Sequence, residues 1–177
     1  MFSINIAIVI GPIPPGTGVI KDVFSFMFSK EERETFLTYA KNGRDFLYKH
    51  VLMGKDDWRC VFLMNADGSP KCVDGHEGYD LSISADCFVV MGFAAYARAA
   101  GDKDAYEFAK KLGESVWTRY QSGQFRSLPY PVSPQYQSHA KPMILTNVCC
   151  ELYRAAKVFD REYAKEVLKK IRICHEE

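Results

Sequence analysis

The apolar positions of this chain fall into two kinds of helical pattern that alternate along it. From Ser29 onward Phe36, Ala40, Gly43, Leu47 and Val51 form one stripe at steps of four, three, four and four, which predicts an amphipathic helix. Ser29 with Glu32 three positions on is a capping-box pattern, hydroxyl and carboxylate each satisfying a backbone N–H. The segment from Ser84 to Ala100 is different in kind. Phe88, Val89, Val90, Met91, Phe93, Ala94, Ala95 and Tyr96 leave it apolar nearly all round, as in a helix surrounded by protein. Gly101 ends it and Asp102 caps a successor. On that successor Ala105, Phe108, Ala109, Leu112, Val116 and Tyr120 share a stripe, with Lys110, Lys111 and Glu114 off it.

After a Pro- and Ser-rich connection, Ser127 to Ser138, the pair of patterns repeats. Pro142 suits a first helical position. Met143, Ile144, Leu145, Val148, Cys149, Cys150 and Leu152 then build a second helix that is apolar almost all round. Asp160 caps a last amphipathic helix with Tyr163, Ala164, Val167, Leu168 and Ile171 on its apolar face. Between the first two helices, Arg59 to Asn65 reads as a strand, Asp67-Gly68 as a tight turn and Ser69 to Val73 as the returning strand. The loop from Asp74 to Leu81 is rich in glycine and charge.

The amphipathic helices share a triplet: Tyr39-Ala40-Lys41, Phe108-Ala109-Lys110 and Tyr163-Ala164-Lys165, starting 69 and 55 residues apart. Alternating buried and amphipathic helices suggest hairpins with an inner and an outer member. A tetratricopeptide solenoid repeats at about 34 residues, which these spacings exceed. The pattern therefore predicts an all-α fold, part of an α/α toroid whose inner helices ring a pocket. The hairpin and the Pro-rich loop would stand over one mouth.

Composition narrows the function classes. At 47% hydrophobic and 25% charged residues the chain is ordinary globular material. Lys+Arg 23 against Asp+Glu 22, well mixed, offers no basic face for nucleic acid and suits a neutral polyol better than a polyanion. Six cysteines without a C-x-x-C pair give no zinc pattern, and Cys87, Cys149 and Cys150 lie in apolar runs, which favours reduced thiols and the cytoplasm. The apolar run Ile4 to Ile10 is too short to span a membrane, lacks the charged start of a signal peptide, and is broken by Gly11-Pro12-Ile13-Pro14-Pro15-Gly16. Residues 1–28 are accordingly read as an irregular extension and 29–177 as the partial barrel.

Three stretches resemble the N-acylglucosamine 2-epimerase (renin-binding protein) family, in that family's order. They are Tyr39-Ala-Lys-Asn-Gly-Arg-Asp-Phe-Leu-Tyr-Lys-His50, then Ile83-Ser-Ala-Asp-Cys-Phe-Val-Val-Met-Gly-Phe-Ala-Ala-Tyr-Ala-Arg-Ala-Ala-Gly-Asp102, then Lys141-Pro-Met-Ile-Leu-Thr-Asn-Val-Cys-Cys-Glu-Leu152. The resemblance runs from about residue 30 to residue 170 and its motifs are mostly structural. It implies an (α/α)6 barrel that interconverts N-acetylglucosamine and N-acetylmannosamine by deprotonation and reprotonation at C2. It implies no required cofactor or metal, with ATP or a related nucleotide as a regulator in animal members. A full ring, at roughly 25 to 30 residues per helix and connection, needs about 300 to 360 residues. This chain corresponds to about half, and the family's catalytic histidines lie beyond Glu177. No catalytic residue is therefore expected within the chain, and exposed inner helices favour a homodimer or capture of another protein. The rival reading is a truncated, non-catalytic protein- or carbohydrate-binding module.

Four residues match pocket-facing positions under that resemblance: Ser84, Asp86, Met143 and Asn147. Asp86 either meets sugar hydroxyls or is a first-turn carboxylate favoured by the helix dipole. Asn147 lies four residues after Met143 on the same helix face. As the only amide of an apolar helix it either touches substrate or makes an ordinary core hydrogen bond. The resemblance associates asparagine at this position with N-acyl sugars. Among the histidines, His50 sits at a helix end, His76 in a loop and His175 in the tail; His139, near the mouth, is the weaker fifth candidate.

Overall fold

The computed structural model describes residues 29–128, 133, 135 and 139–176. The expected extension, residues 1–28, and most of the Pro-rich connection lie outside them. The described residues form five helices and one two-stranded hairpin, an all-α arrangement.

Four of the five helices start where a side chain takes up amides that the first turn leaves without partners. In α1 (Lys30–His50) the capping box is complete: Glu32 N donates to Ser29 Oγ at 3.1 Å, and Ser29 N donates to the Glu32 carboxylate at 2.7 Å. Ser82 caps α2 (Ile83–Ala100), and Gly101, at φ 69°, closes it in the left-handed conformation that glycine adopts without penalty. Asp102 accepts from Ala105 N at 2.9 Å to open α3 (Lys103–Ser122). Asp160 does the same for Tyr163 N at 3.0 Å, between α4 (Ala140–Phe159) and α5 (Arg161–Glu176). Pro142 stands in the first turn of α4 but not at its first position, which Ala140 takes.

The two apolar helices, α2 and α4, pack side by side, and α3 touches both. α5 lies along α4, and α1 meets α2. The amphipathic helices therefore form an outer layer over an inner pair. Their interface is tight at Gly113, where a Cβ would stand 2.6 Å from Leu152 Cδ1. An aromatic cluster joins the layers, with Phe93 and Phe108 stacked at 4.3 Å between centroids and Tyr48 and Trp58 against Phe108. Burying each such ring or branched aliphatic side chain contributes about 1.5–3 kcal/mol. By length and composition α2 is apolar enough to cross a membrane, but a core helix packed on three neighbours has the same character.

Three local expectations differ from the fold. The first strand is only Leu63–Met64 (β1), paired antiparallel with Pro70–Lys71 (β2). Upstream, Val61 N donates to Val51 O at 2.8 Å and Met53 N to Arg59 O at 2.9 Å, so residues 59–61 bind the end of α1 instead of extending the hairpin. Gly68, at φ 88°, lies so close to the His50 ring that any side chain would collide with it. The α1 stripe is buried only at Leu47 and Val51, while Phe36 is 51% exposed, because α2 covers only the later turns. On α5 the covered face takes in Cys174 and leaves Leu168 outside.

Candidate functional site

Since α3 packs on both inner helices, the faces of α2 and α4 turned away from it lie on one side of the pair. On α2 that open face carries Phe88, 48% exposed, with half-buried Ser84 one turn before it. On α4 it carries Met143, 59% exposed, and exposed Asn147 one turn on. His139, the N-cap residue of α4, makes no side-chain capping bond and is exposed one turn before Met143. His139, Met143 and Asn147 thus follow one another at four-residue steps along a single stripe. No described side chain hydrogen-bonds to Asn147, so its amide is open to a ligand.

Asp86 stands apart from this face. Two residues along a helix differ by about 200° in direction, so Ser84 and Asp86 point to opposite sides of α2. Asp86 is 2% exposed and turned toward α3. Its Oδ1 accepts from Arg119 Nη2 at 2.7 Å and from Cys60 N at 3.0 Å. Burial raises its pKa above the ordinary carboxylate value, and Arg119 opposes that rise. Arg119 also reaches Trp58 O at 3.4 Å, which Ser115 Oγ binds at 3.0 Å. The pair therefore fastens the segment after α1 to α2 and α3. Sequence reasoning passed over Arg119, although it continues the buried stripe Leu112–Val116 three residues on, the signal that its head must find a partner inside.

A second ionic group joins the inner helices: Arg98 Nη2 donates to Glu151 Oε2 at 3.0 Å, and Arg154 reaches the other oxygen of Glu151. On the outer side a shallow cleft of about 500 Å³ is lined by Trp58, Asp56 and the polar face of α3, including Glu107 and Lys111. No residue of α2 or α4 lines it, so it is separate from the open inner face. Among the described residues no cluster of three or more His, Cys, Asp or Glu has a metal-binding arrangement.

No family model matches the chain. It is 26% identical to the N-acylglucosamine 2-epimerase of Bos taurus over 130 residues, covering 72% of this chain and 29% of that protein. The N-acylglucosamine 2-epimerase of Homo sapiens is 23% identical over 140 residues, covering 78% of this chain and 31% of that protein. The similarity to these epimerases is distant and partial. The chain spans about three tenths of the length of the curated relatives it matches.

Proposed function

We propose that this chain supplies part of the sugar-binding surface of an amino-sugar 2-epimerase built as an α/α toroid, with an N-acyl hexosamine lying against the open face of α2 and α4. The observation that supports this reading best is Asn147, an uncovered amide beside apolar Met143 on an inner helix. Amide and thioether together suit an N-acyl group, which has one hydrogen-bonding plane and one methyl. Ser84 contributes a hydroxyl from α2, and Asp86 serves the same surface by holding the start of α2 through Arg119.

The reaction in this reading begins with opening of the pyranose. The C1 aldehyde acidifies the C2–H bond, a base removes that proton, and the electron pair passes into an enediolate. An acid then returns a proton to the opposite face. Neither α2 nor α4 carries a histidine, so neither inner helix supplies the base or acid if these are histidines, as the resemblance implies. The chain alone is inactive, needs no cofactor and works in the cytoplasm. A homodimer covers its inner layer, and ATP or a related nucleotide acts as regulator.

A second reading, a non-catalytic binding module, is favoured by the exposed Phe88 and Met143. Calorimetric titration with N-acetylglucosamine, N-acetylmannosamine and glucose, beside a coupled epimerase assay, separates the two. The proposal expects the N-acyl sugars to bind, glucose to fail at equal concentration, and Asn147→Ala to weaken binding about five- to tenfold, the effect of one hydrogen bond. Absence of sugar binding in a folded sample leaves the protein-binding module. Turnover by the chain alone overturns the placement of the base and acid.

A further inference from the structure

We propose that Arg59 is a positioning residue, the centre of an ionic latch that joins three connections and holds the start of α2, with Ser84, in place on the open face. Its guanidinium donates to the two carboxylate oxygens of Asp57, from Nε at 2.9 Å and from Nη2 at 2.6 Å, and from Nη1 to Asp80 Oδ2 at 2.7 Å. The other oxygen of Asp80 lies 3.6 Å from Arg126 Nη1, which donates to Glu77 O at 2.7 Å. Asp57 and Arg59 belong to the connection after α1, Glu77 and Asp80 to the loop before α2, and Arg126 to the segment after α3. Backbone bonds gather around this chain of charges. Phe62 N donates to Tyr79 O at 2.6 Å, Ile83 N to Arg126 O at 3.0 Å and Leu128 N to Leu81 O at 3.0 Å. The last two bracket Ser82, the cap of α2 two residues before Ser84.

The loop before α2 buries little that could place it by apolar packing. Residues 74–79 are exposed except for half-buried His76, and Leu81 is the buried anchor at its end. A lone surface ion pair contributes little to stability, but a bidentate arginine within a network of charges is the exception. Both Arg59 and Arg126 stay partly exposed, so dissolved salt reaches the latch and screens its pairs. The consequence is uncommon for an uncharged ligand. Affinity of the open face for a neutral sugar falls as salt rises, because only the latched form presents Ser84 in register with Asn147. That consequence rests on the sugar-binding reading above, whereas the latch itself does not.

The test is amide hydrogen exchange on the unaltered chain, Arg59→Ala and Arg59→Lys, each in dilute buffer and in sodium chloride at about 1 M, where screening acts within about 3 Å. Calorimetric titration with N-acetylmannosamine runs beside it under the same conditions. The amides of Ile83 and Leu128 are expected to exchange about two- to fivefold faster in high salt and in Arg59→Ala, the scale of a few exposed charge pairs. Core amides of α2 such as Val90 and Phe93 keep their rates, and salt does nothing further in Arg59→Ala. Arg59→Lys, which keeps the charge and loses the fork, falls between. Sugar affinity drops in step, by no more than the same factor. Exchange at Ile83 and Leu128 that ignores both salt and Arg59→Ala would overturn the latch. Faster exchange with unchanged sugar affinity would overturn the positioning of Ser84. Absence of any sugar binding removes the sugar-binding reading and the positioning role with it, while the exchange rates still decide the latch.

Discussion

Asp86 on α2 and Asn147 on α4 look alike in the sequence, each a polar side chain in an apolar helical run, yet the fold uses them in opposite ways. Asp86 faces the outer layer and is closed in by Arg119 and Cys60 N. Asn147 faces away from the outer layer with no described partner. A polar residue in a core helix thus announces that something must satisfy it, and only the helix's neighbours decide whether that something is protein or ligand.

The largest test of this contrast is Asp86→Ala. It strands the Arg119 guanidinium inside the fold and should cost about 3–5 kcal/mol in urea denaturation. Asn147→Ala should change stability by less than about 0.5 kcal/mol, as for an exposed site. Equal losses would erase the distinction. Gly113→Ala comes next, since it presses the outer helix α3 off Leu152 of the inner helix α4. Overpacking of about 1–3 kcal/mol, reduced by alanine's better helix propensity, should lower the thermal midpoint measurably.

The comparison also separates what was legible in the sequence from what was not. Helix ends were readable because Ser29 with Glu32, Gly101, Asp102 and Asp160 each carry local chemistry that starts or stops a helix whatever surrounds it. The alternation of all-round apolar and striped helices likewise foreshadowed the inner and outer layers. Faces were harder. Nothing local says that Asp86 turns to α3, that Leu168 stays outside while Cys174 goes in, or that Arg59 and Val61 bind the end of α1. Those outcomes depend on partners distant in sequence. The Met143 and Asn147 pair was visible because four-residue spacing fixes a shared face.

Smaller effects sharpen the contrast further. Tyr106 is fully buried with its hydroxyl unpartnered, stacked on Phe159 at 5.0 Å. Unlike Asp86 it has no bond to lose, so Tyr106→Phe should leave stability unchanged or raise it by up to about 1 kcal/mol in thermal melts. The smallest effect is in pH dependence. The Lys110 ammonium holds the Asp160 carboxyl below its ordinary value, so this group adds stability above the unfolded carboxylate pKa and loses it as pH falls through the lower folded value. Asp86, shifted upward by burial, acts the other way, its contribution falling as pH rises through its folded value. Asp160→Asn should therefore flatten the acid limb of a stability–pH curve slightly, while Asp86→Asn should steepen it.

The central claim is that an N-acyl sugar lies on the open face of α2 and α4, and amide-resolved NMR during titration with N-acetylmannosamine tests it most directly. The account predicts that shifts concentrate at Ser84, Phe88, Met143 and Asn147 and disappear in Asn147→Ala. Shifts confined to the outer cleft around Trp58, or none at saturating sugar in a folded sample, would contradict it.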